Sequence, residues 1–305
     1  MGLRIRTNIS SVNAQRRLAR STNEVKESSA KLASGLRINK AADDAAGLAI
    51  SENLRADIRS LGQAKRNAND GVSLVQTAEG GLMETSNMLI RLRELAIQAA
   101  SDTIGNSERE FTDREFVSLK QEIDRIASST EFNGTRLLIG EADVHEDIAN
   151  DATYPLEIQV GAQYFENADN VDADNPINVI KLDFSKINAF AGNGEGSLGL
   201  GTAEEGSRVN SKEAAQSSIA KLDSAITKIN DYRSYLGAVQ NRLGSTIRNL
   251  EIQNENMTEA RSRISDTDYA YETAKMTQAN ILQQAGTSIL GQANQQPSIA
   301  LKLLG

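Results

Sequence analysis

The chain is poor in the residues on which most catalytic, metal-binding and disulfide-stabilised proteins depend. Its 305 residues include no cysteine, no tryptophan, three prolines and one histidine, His145. Without cysteine there are no disulfides and no thiolate metal sites, and the redox compartment stays undefined. The aromatic content is only 4%. This composition predicts the thin core of helical rods.

Proline and long apolar runs are missing over most of the sequence. The prolines are Pro155, Pro176 and Pro297, so residues 1–154 and 177–296 contain no residue that must break a helix. No run of 18 strongly apolar residues occurs, and the N-terminus lacks the apolar region of a secretory signal. We therefore expect no membrane span, and export, if it occurs, by another route.

Charge is distributed unevenly along the chain. Residues 1–40 carry a balance of +7, and residues 141–205 carry −12. A basic segment can bind nucleic acid, but aromatic stacking residues are absent here. The pattern favours a solvated or self-associating helix and no nucleic-acid partner.

Two unbroken seven-residue apolar ladders occupy opposite halves of the sequence. A seven-residue repeat keeps one seam of a helix facing a partner along its length. The ladders predict two helical rods in opposite halves of the sequence, which can pair if the chain reverses direction between them. We therefore expect a mainly α fold of long paired coiled-coil-like helices from both termini. The members are Leu54, Leu61, Ala68, Val75, Leu82, Leu89 and Ala96, then Leu222, Ile229, Leu236, Leu243, Leu250, Met257 and Ile264.

Capping and turn residues place the other elements. Residues 4–33 read as a helix, one of the aspartates 43–44 caps the next, Ser107 to Glu110 matches a capping box, and Asn210 and Ser211 cap the last rod. The Phe132-Asn-Gly134 turn and the alternating patterns at 156–160 and 180–184 predict a small β element in the middle. The acidic stretch 166–175 and the glycine-rich stretch 192–201 read as exposed loops.

The C-terminal tail has no charged residue from Met276 to Leu301, although it is rich in Asn and Gln. Amides are costly in a membrane span, and a solvent-facing helix normally carries Lys and Glu. We expect a helix surrounded by copies of itself. Its apolar residues, including Ile281, Leu282, Ile289 and Leu290, can meet the seams of the N-terminal helix.

No constellation predicts catalysis, a cofactor or a metal site. The Gly192-x-Gly-x-Gly196 stretch lacks a Walker lysine and a strand-to-helix setting. The Asp172-x-Asp174 stretch has Pro176 and Ile177 where a calcium loop needs a ligand and glycine. His145 has no second histidine at metal spacing. The chain is predicted not to be an enzyme.

One charged strip on the first rod stands out. Arg91, Glu94, Leu95 and Gln98 share a helix face. Two interpretations remain open: the strip packs on a neighbouring rod or subunit, or an outside partner recognises it.

Five motifs in order resemble those of the bacterial flagellins, over about residues 1–140 and 205–305. They are Ile5-Arg-Thr-Asn8-Ile-Ser-Ser, Leu32-Ala-Ser-Gly35-Leu-Arg-Ile-Asn39, Ala42-Asp-Asp44-Ala-Ala-Gly47, Phe132-Asn-Gly134 and Ile281-Leu-Gln-Gln-Ala-Gly286-Thr-Ser-Ile-Leu. The resemblance implies a secreted filament subunit that serves motility. It also implies a terminal helical domain (1–45 with 265–305) in the inner tube, a rod domain (46–140 with 205–264) in the outer tube, and a short variable insert (141–204) without outward-projecting domains.

The resemblance also implies functional residues and partners. The self-assembly residues would be Ile5, Ile9, Val12, Leu18, Val25, Leu32, Ile281, Leu282, Ile289 and Leu290. Rod packing would use Leu54, Leu61, Val75, Leu82, Leu89, Leu222, Ile229, Leu236, Leu243 and Leu250. A vertebrate Toll-like receptor would read Arg91, Leu95, Gln98 and Glu115. Further partners would be hook-associated junction and cap proteins, a chaperone on the C-terminal helix, and the flagellar type III export apparatus.

Two alternatives remain. A hook–filament junction protein has similar ends, although the full Ile281-to-Leu290 run favours the filament subunit. A coiled-coil adaptor that never polymerises belongs to a different class and would not need the uncharged tail.

Overall fold

The computed structural model describes residues 8–140, 154–162, 178–192, 197–202 and 206–302, with side chains as far as residue 295. Five helices carry most of these residues: α1 (Ile9–Ser34), α2 (Ala45–Ala100), α3 (Asn106–Ser129), α4 (Lys212–Ser265) and α5 (Tyr269–Lys302). Four short strands lie between α3 and α4: β1 (Glu131–Phe132), β2 (Thr135–Arg136), β3 (Leu156–Gln159) and β4 (Val179–Leu182). The prediction of a mainly α fold with a small β element in the middle is confirmed.

The chain forms two compact units, one of residues 1–58 with 255–305 and one of residues 59–254. We refer to them as the terminal unit and the central unit. The boundaries between these units fall at residues 58 and 255, whereas the sequence predicted domain boundaries at 45 and 265. The functional division into domains stays a prediction.

The core of the central unit lies along the two ladders. From Leu61 to Ala96 and from Leu222 to Leu250, every ladder residue is buried, whereas Leu54 is half-buried. Two ion pairs join α2 to α4, between Lys65 and Glu251 (2.6 Å) and between Arg93 and Asp223 (2.6 Å). Phe116 and Ile123 of α3 complete one continuous hydrophobic core. Burial on this scale is the main stabilising contribution of the unit.

The helix starts follow the predicted caps at two places and differ at a third. Asp44 Oδ1 accepts a hydrogen bond from the Gly47 amide (2.9 Å), and Ser211 Oγ accepts one from Ala214 (3.2 Å). The predicted capping box at Ser107 is wrong. Helix α3 begins at Asn106 after Gly105, which makes no side-chain cap hydrogen bond.

The two small sheets match the predicted strand segments. Strands β1 and β2 pair antiparallel around Asn133 (φ 50°) and Gly134 (φ 80°), the left-handed pair that a tight hairpin requires. Strands β3 and β4 also pair antiparallel, with Ile158 opposite Ile180. Each pair is too small to be stable alone, and both contribute side chains that pack against the core of the central unit.

In the terminal unit, the two connections between helices run side by side. Leu36 and Asp266 form an isolated antiparallel β-bridge. The Arg37 amide donates to Ser265 O (2.7 Å), and the Thr267 amide donates to Gly35 O (3.0 Å). The Arg37 guanidinium also donates to Ile264 O (2.7 Å), at the end of α4. These bonds satisfy carbonyls that a helix end would otherwise leave unpaired.

Candidate assembly and recognition surfaces

Helices α1 and α5 pack antiparallel through small side chains. The buried positions of α1 include Ala14, Ser21 and Ser28, seven residues apart. In α5, Ala279 and Ala293 are buried, and Gly286 lies midway between them. A Cβ built on Gly286 would lie 3.5 Å from Leu18 Cδ1 and 3.9 Å from its Cα. Small residues therefore let the two backbones approach closely.

Polar contacts set the register of this helix pair. Asn8 Nδ2 donates to Ala293 O (2.7 Å) at one end, and Tyr269 OH donates to Leu32 O (2.9 Å) at the other. Ser11 Oγ donates to Asn294 Oδ1 (2.8 Å). Hydrogen bonds at both ends specify one alignment of α1 with α5. The small side chains of the seam alone would define that alignment only weakly.

Several large apolar residues of α1 and α5 point away from this seam. Ile281 is 61% exposed, Ile289 is 56%, Ile9 is 55%, and Val12 and Leu282 are 50%. Leu18, Val25, Leu32 and Leu290 are half-buried, and Ile5 lies outside the described residues. We expected the apolar face of α5 to meet α1, and within one chain this is wrong because small residues make that contact. A row of exposed apolar residues indicates an interaction surface.

The exposed side of α5 also forms a shallow apolar groove of about 760 Å³. Its lining includes Tyr269, Thr273, Thr277, Ile281 and Leu282. Since no residue from Met276 to Leu301 is charged, most of this surface can be buried without desolvating an ion.

On α2, the charged strip divides between an inter-helix contact and the core. Arg91 donates to Glu115 Oε1 of α3 from Nε (3.0 Å) and Nη2 (2.8 Å), and to Glu94 from Nη1 (3.1 Å). These hydrogen bonds, to Glu115 first and Glu94 second, raise the pKa of Arg91 above its ordinary value. Arg91, Glu115 and Gln98 are exposed.

Leu95 does not lie on that exposed surface. It is only 2% exposed and belongs to the core of the central unit. The resemblance placed Leu95 among the residues that an outside partner contacts. In this conformation the Leu95 side chain is buried and is not accessible to such a partner. Arg91 instead forms hydrogen bonds with Glu115 of α3, which is not one of the two rods, so both interpretations of the strip stay predictions.

A buried lysine on α3, which the sequence analysis did not single out, holds the chain that returns from the middle to α4. We refer to residues 197–202 and 206–211 as the return segment. Lys120 is 1% exposed. Its Nζ donates to three carbonyls of the return segment, those of Leu200 (3.2 Å), Thr202 (2.7 Å) and Ser207 (3.2 Å). Burial lowers the pKa of Lys120 to about 8, against the opposing effect of Asp124.

Neighbouring carboxylates and a second lysine hold the same region. Asp113 accepts from the Val209 amide (2.9 Å) and from Arg208 Nη2 (2.6 Å), and the Arg208 pKa is raised by this hydrogen bond. Lys228 Nζ donates to Ser197 O (2.6 Å). The expectation of an exposed loop is therefore wrong for residues 197–201, of which Ser197, Leu198 and Leu200 are buried. Asp124 also binds the Ala191 amide (2.8 Å).

The spacing on α3 carried a signal that could have identified these residues. Asp113, Lys120 and Ala127 are seven apart, and all three lie on the buried face beside Phe116 and Ile123. Charged residues at core positions of a seven-residue repeat require buried polar partners. Backbone carbonyls and amides of the return segment are those partners.

The described residues offer little evidence of other kinds of site. Within those ranges, no three His, Asp or Glu side chains come together as metal ligands. None of the helices described is apolar over a stretch long enough to cross a bilayer. The cation–π contact of Arg114 with Phe111, 5.7 Å from the ring centroid, lies at the surface.

Comparison with known proteins identifies the class to which these surfaces belong. The family model of the bacterial flagellin N-terminal helical region matches residues 5–143, and that of the C-terminal helical region matches residues 219–304. Flagellin of Halalkalibacterium halodurans is 41% identical over 98% of this chain and 99% of its own length. Flagellin of Bacillus subtilis is 40% identical over 99% of this chain and 100% of its own length.

One solved structure agrees at the level of the fold. A structure described as a flagellar hook-associated protein from Vibrio parahaemolyticus aligns with a TM-score of 0.55 over 73% of this chain and 100% of its own, at 12% identity. Bacillus cereus flagellin is 32% identical over 64% of this chain and 94% of its own, with a TM-score of 0.46.

Two helical ends that pair and leave a row of exposed apolar residues are typical of proteins that associate through that surface, as structural, self-assembling proteins do. The family matches at both ends and the full-length relatives make the assignment specific: this chain belongs to the bacterial flagellins. It is accordingly a subunit of the flagellar filament, the extracellular appendage of motility.

Proposed function

We propose that the chain is exported unfolded through the flagellar type III apparatus, with its signal in the N-terminal segment, and joins the filament at its tip. Residues 1–45 with 265–305 form the inner tube, and residues 46–140 with 205–264 form the outer tube. The absence of cysteine supports this route because no crosslink can form during transit. Like its family, the chain acts as a structural molecule and catalyses no reaction.

The assembly proposal rests on which residues of α1 and α5 are buried within one chain and which are left exposed. Small residues join the two helices within one chain, which leaves Ile9, Val12, Ile281 and Ile289 about half exposed or more. Copies of the chain cover these residues in the filament. Full burial of a large apolar side chain contributes about 1.5–3 kcal/mol relative to full exposure. Because these side chains are about half exposed in the single chain, covering each one contributes roughly half of that, and a repeating contact adds the stabilisation at every subunit.

The resemblance to the flagellins supports the remaining partners. Before export, a flagellin chaperone covers the groove on α5 and shields Ile281 and Leu282. Hook-associated junction and cap proteins meet the filament at its two ends. A Toll-like receptor reads the exposed part of the strip, Arg91 and Gln98 of α2 with Glu115 of α3.

Seeded polymerisation tests the central proposal. Purified monomer is mixed with short filament fragments or a precipitating salt, and the products are imaged by electron microscopy. The full chain should give long hollow filaments, and a chain without residues 276–305 should give none. A chain that stays monomeric or dimeric under every seeding condition would instead favour the junction protein or the adaptor.

A point variant separates assembly from folding in the same experiment. Ile281→Asp places a charge on a side chain that is 61% exposed, so the monomer should keep its helix content in circular dichroism but stop elongating. The matched control is Phe111→Asp on α3, where the side chain is 65% exposed. Equal loss of elongation in both variants would contradict the assignment of the interface to α1 and α5.

A further inference from the structure

The turn that joins β1 to β2 is an Asn-Gly dipeptide at the surface of the central unit. Asn133 and Gly134 are both exposed, and a Cβ built on Gly134 meets no atom within 4 Å. A second Asn-Gly pair in the sequence, Asn193-Gly194, lies outside the described residues. The assembly and recognition surfaces described above lie on helices, so this turn is separate from them.

An asparagine that is followed by glycine can react with its own backbone. The Gly134 amide nitrogen loses its proton to the solvent and attacks Cγ of Asn133, which closes a five-membered cyclic imide. The Cγ–Nδ2 bond breaks, and the side-chain nitrogen leaves as ammonia. Water then opens the imide at either carbonyl and gives aspartate or isoaspartate. No electrons are transferred, and glycine hinders the attack least because it has no Cβ.

The folded turn holds the two reacting atoms apart. Asn133 has φ 50° and Gly134 has φ 80°, and a two-residue hairpin loop with two positive φ angles is a type I′ turn. In such a turn ψ of the first loop residue is about +30°, so Cβ of Asn133 lies nearly anti to the Gly134 nitrogen about the Cα–C bond. Ring closure requires these atoms to be nearly eclipsed, which is a rotation of about 150°. The hairpin therefore blocks the reaction while it stays folded.

The open end of the hairpin is held on α2, which prevents the turn from rotating alone. The Leu137 amide donates to Thr130 O (3.1 Å) across this end, and Leu138 is fully buried. A Cβ built on Gly81 of α2 would lie 2.7 Å from both Leu138 Cδ1 and Thr130 Oγ1, so glycine leaves the room that both contacts need. Rotation at the turn would pull apolar side chains out of the core of the central unit.

We propose that Asn133 is a self-modification site that the β1–β2 hairpin protects, so that aspartate or isoaspartate at position 133 marks copies of the chain that have spent time unfolded. Apart from water, all reactants belong to one chain. The inference therefore goes beyond the proposed filament function and does not depend on it.

The two products differ in their consequences for refolding. Aspartate keeps the length of the backbone and tolerates a positive φ, so a chain with aspartate at position 133 should rebuild the hairpin. Isoaspartate carries the backbone through the former side chain and adds one methylene. This addition disturbs the pairing of Phe132 with Thr135, because register in a hairpin is fixed by loop length. Chains that carry isoaspartate should therefore refold poorly.

The test compares the folded and the unfolded full chain. Wild-type protein is incubated at mildly alkaline pH in buffer or in guanidinium chloride, and peptide mapping by mass spectrometry measures conversion at position 133. An isoaspartate-specific methyltransferase identifies that product. Conversion should be at least tenfold faster in guanidinium chloride. Equal rates in the two solutions, or no conversion in the unfolded chain, would overturn the proposal.

A variant of the attacking residue tests the chemistry in the unfolded chain. Gly134→Ala places a Cβ beside the attacking nitrogen, so it should slow conversion at least fivefold in guanidinium chloride. The comparison is made there because any effect of alanine on the folded turn no longer matters. An unchanged rate would refute attack by this nitrogen.

Two adjacent glycines test the protection without denaturant. Gly81→Leu should displace Leu138 and Thr130 from α2 and speed conversion in buffer at least threefold. Gly80→Leu is the matched control, because a Cβ built there meets no atom within 4 Å, and it should leave the rate unchanged. Circular dichroism monitors folding, and a Gly81→Leu chain that does not fold should react as fast as the unfolded wild type. Equal rates in the two variants would contradict protection by the anchored hairpin.

Discussion

Lys120 should make the stability of the central unit increase at alkaline pH. Its pKa is lowered from 10.5 to about 8 by burial, so between pH 8 and 10 the folded chain loses a proton that the unfolded chain still holds. A base with a lower pKa in the folded state contributes stability as the pH rises through that interval. The expected gain in the free energy of unfolding is about 2 kcal/mol from pH 8 to pH 10.

The assay is urea unfolding followed by circular dichroism at several pH values. Lys120→Met removes the titrating group and leaves the carbonyls of Thr202 and Ser207 without this donor. Its free energy of unfolding should therefore lack the rise, and the difference between wild type and variant should grow by about 2 kcal/mol. Lys120→Arg should also lack the rise because a guanidinium keeps its charge throughout.

A second lysine provides the control. Lys228 donates to Ser197 O in the same return segment but is exposed on α4, so Lys228→Met should retain the rise. The series stops at pH 10 because burial raises the pKa of Tyr232 above 10.0, which lowers stability at higher pH. A wild-type minus Lys120→Met difference that stays flat from pH 8 to 10 would refute the reasoning.

Three further changes test packing, capping and close approach. Leu236→Ala truncates a ladder residue that is only 1% exposed. Measured by urea unfolding, it should lower the free energy of unfolding by about 2–5 kcal/mol, as is typical of a buried leucine replaced by alanine. Asp44→Ala removes the cap of α2 and should lower the melting temperature, at a cost of about 1 kcal/mol. Gly286→Leu should separate α1 from α5, because a Cβ there already contacts Leu18. It should speed amide hydrogen exchange in α1 but not in α3, and unchanged exchange in α1 would contradict the close approach.

The helices could be predicted because their pattern is long and repeated. The ladder from Leu61 to Ala96 predicts one buried seam on α2, and the structure buries it. The Asn-Gly hairpin was equally readable, since its positive φ values need those residue types. Both signals are local, so neither requires knowledge of what the element packs against.

Contacts between distant segments were less predictable. The return segment is rich in glycine, which normally indicates an exposed loop, but Lys120 and Asp113 bind its backbone groups. The faces of α5 were misassigned for a related reason. Apolar size suggested which side meets α1, whereas close backbone approach selects small residues such as Ala279 and Gly286. A single sequence does not distinguish a seam within one chain from a surface between copies.

The pairing of α1 with α5 also has a consequence for the order of folding. The hydrogen bond from Asn8 to Ala293 joins residues 285 positions apart, whereas Arg91 and Glu115 are only 24 apart. Closing the longer loop costs about 2 kcal/mol more in chain entropy. A chain delivered from its N-terminus can form the α2–α3 hairpin early, but α1 must wait for almost the last residue. If export runs as proposed, we therefore expect the terminal unit to be the last part of the molecule to fold, so that its completion marks the end of delivery.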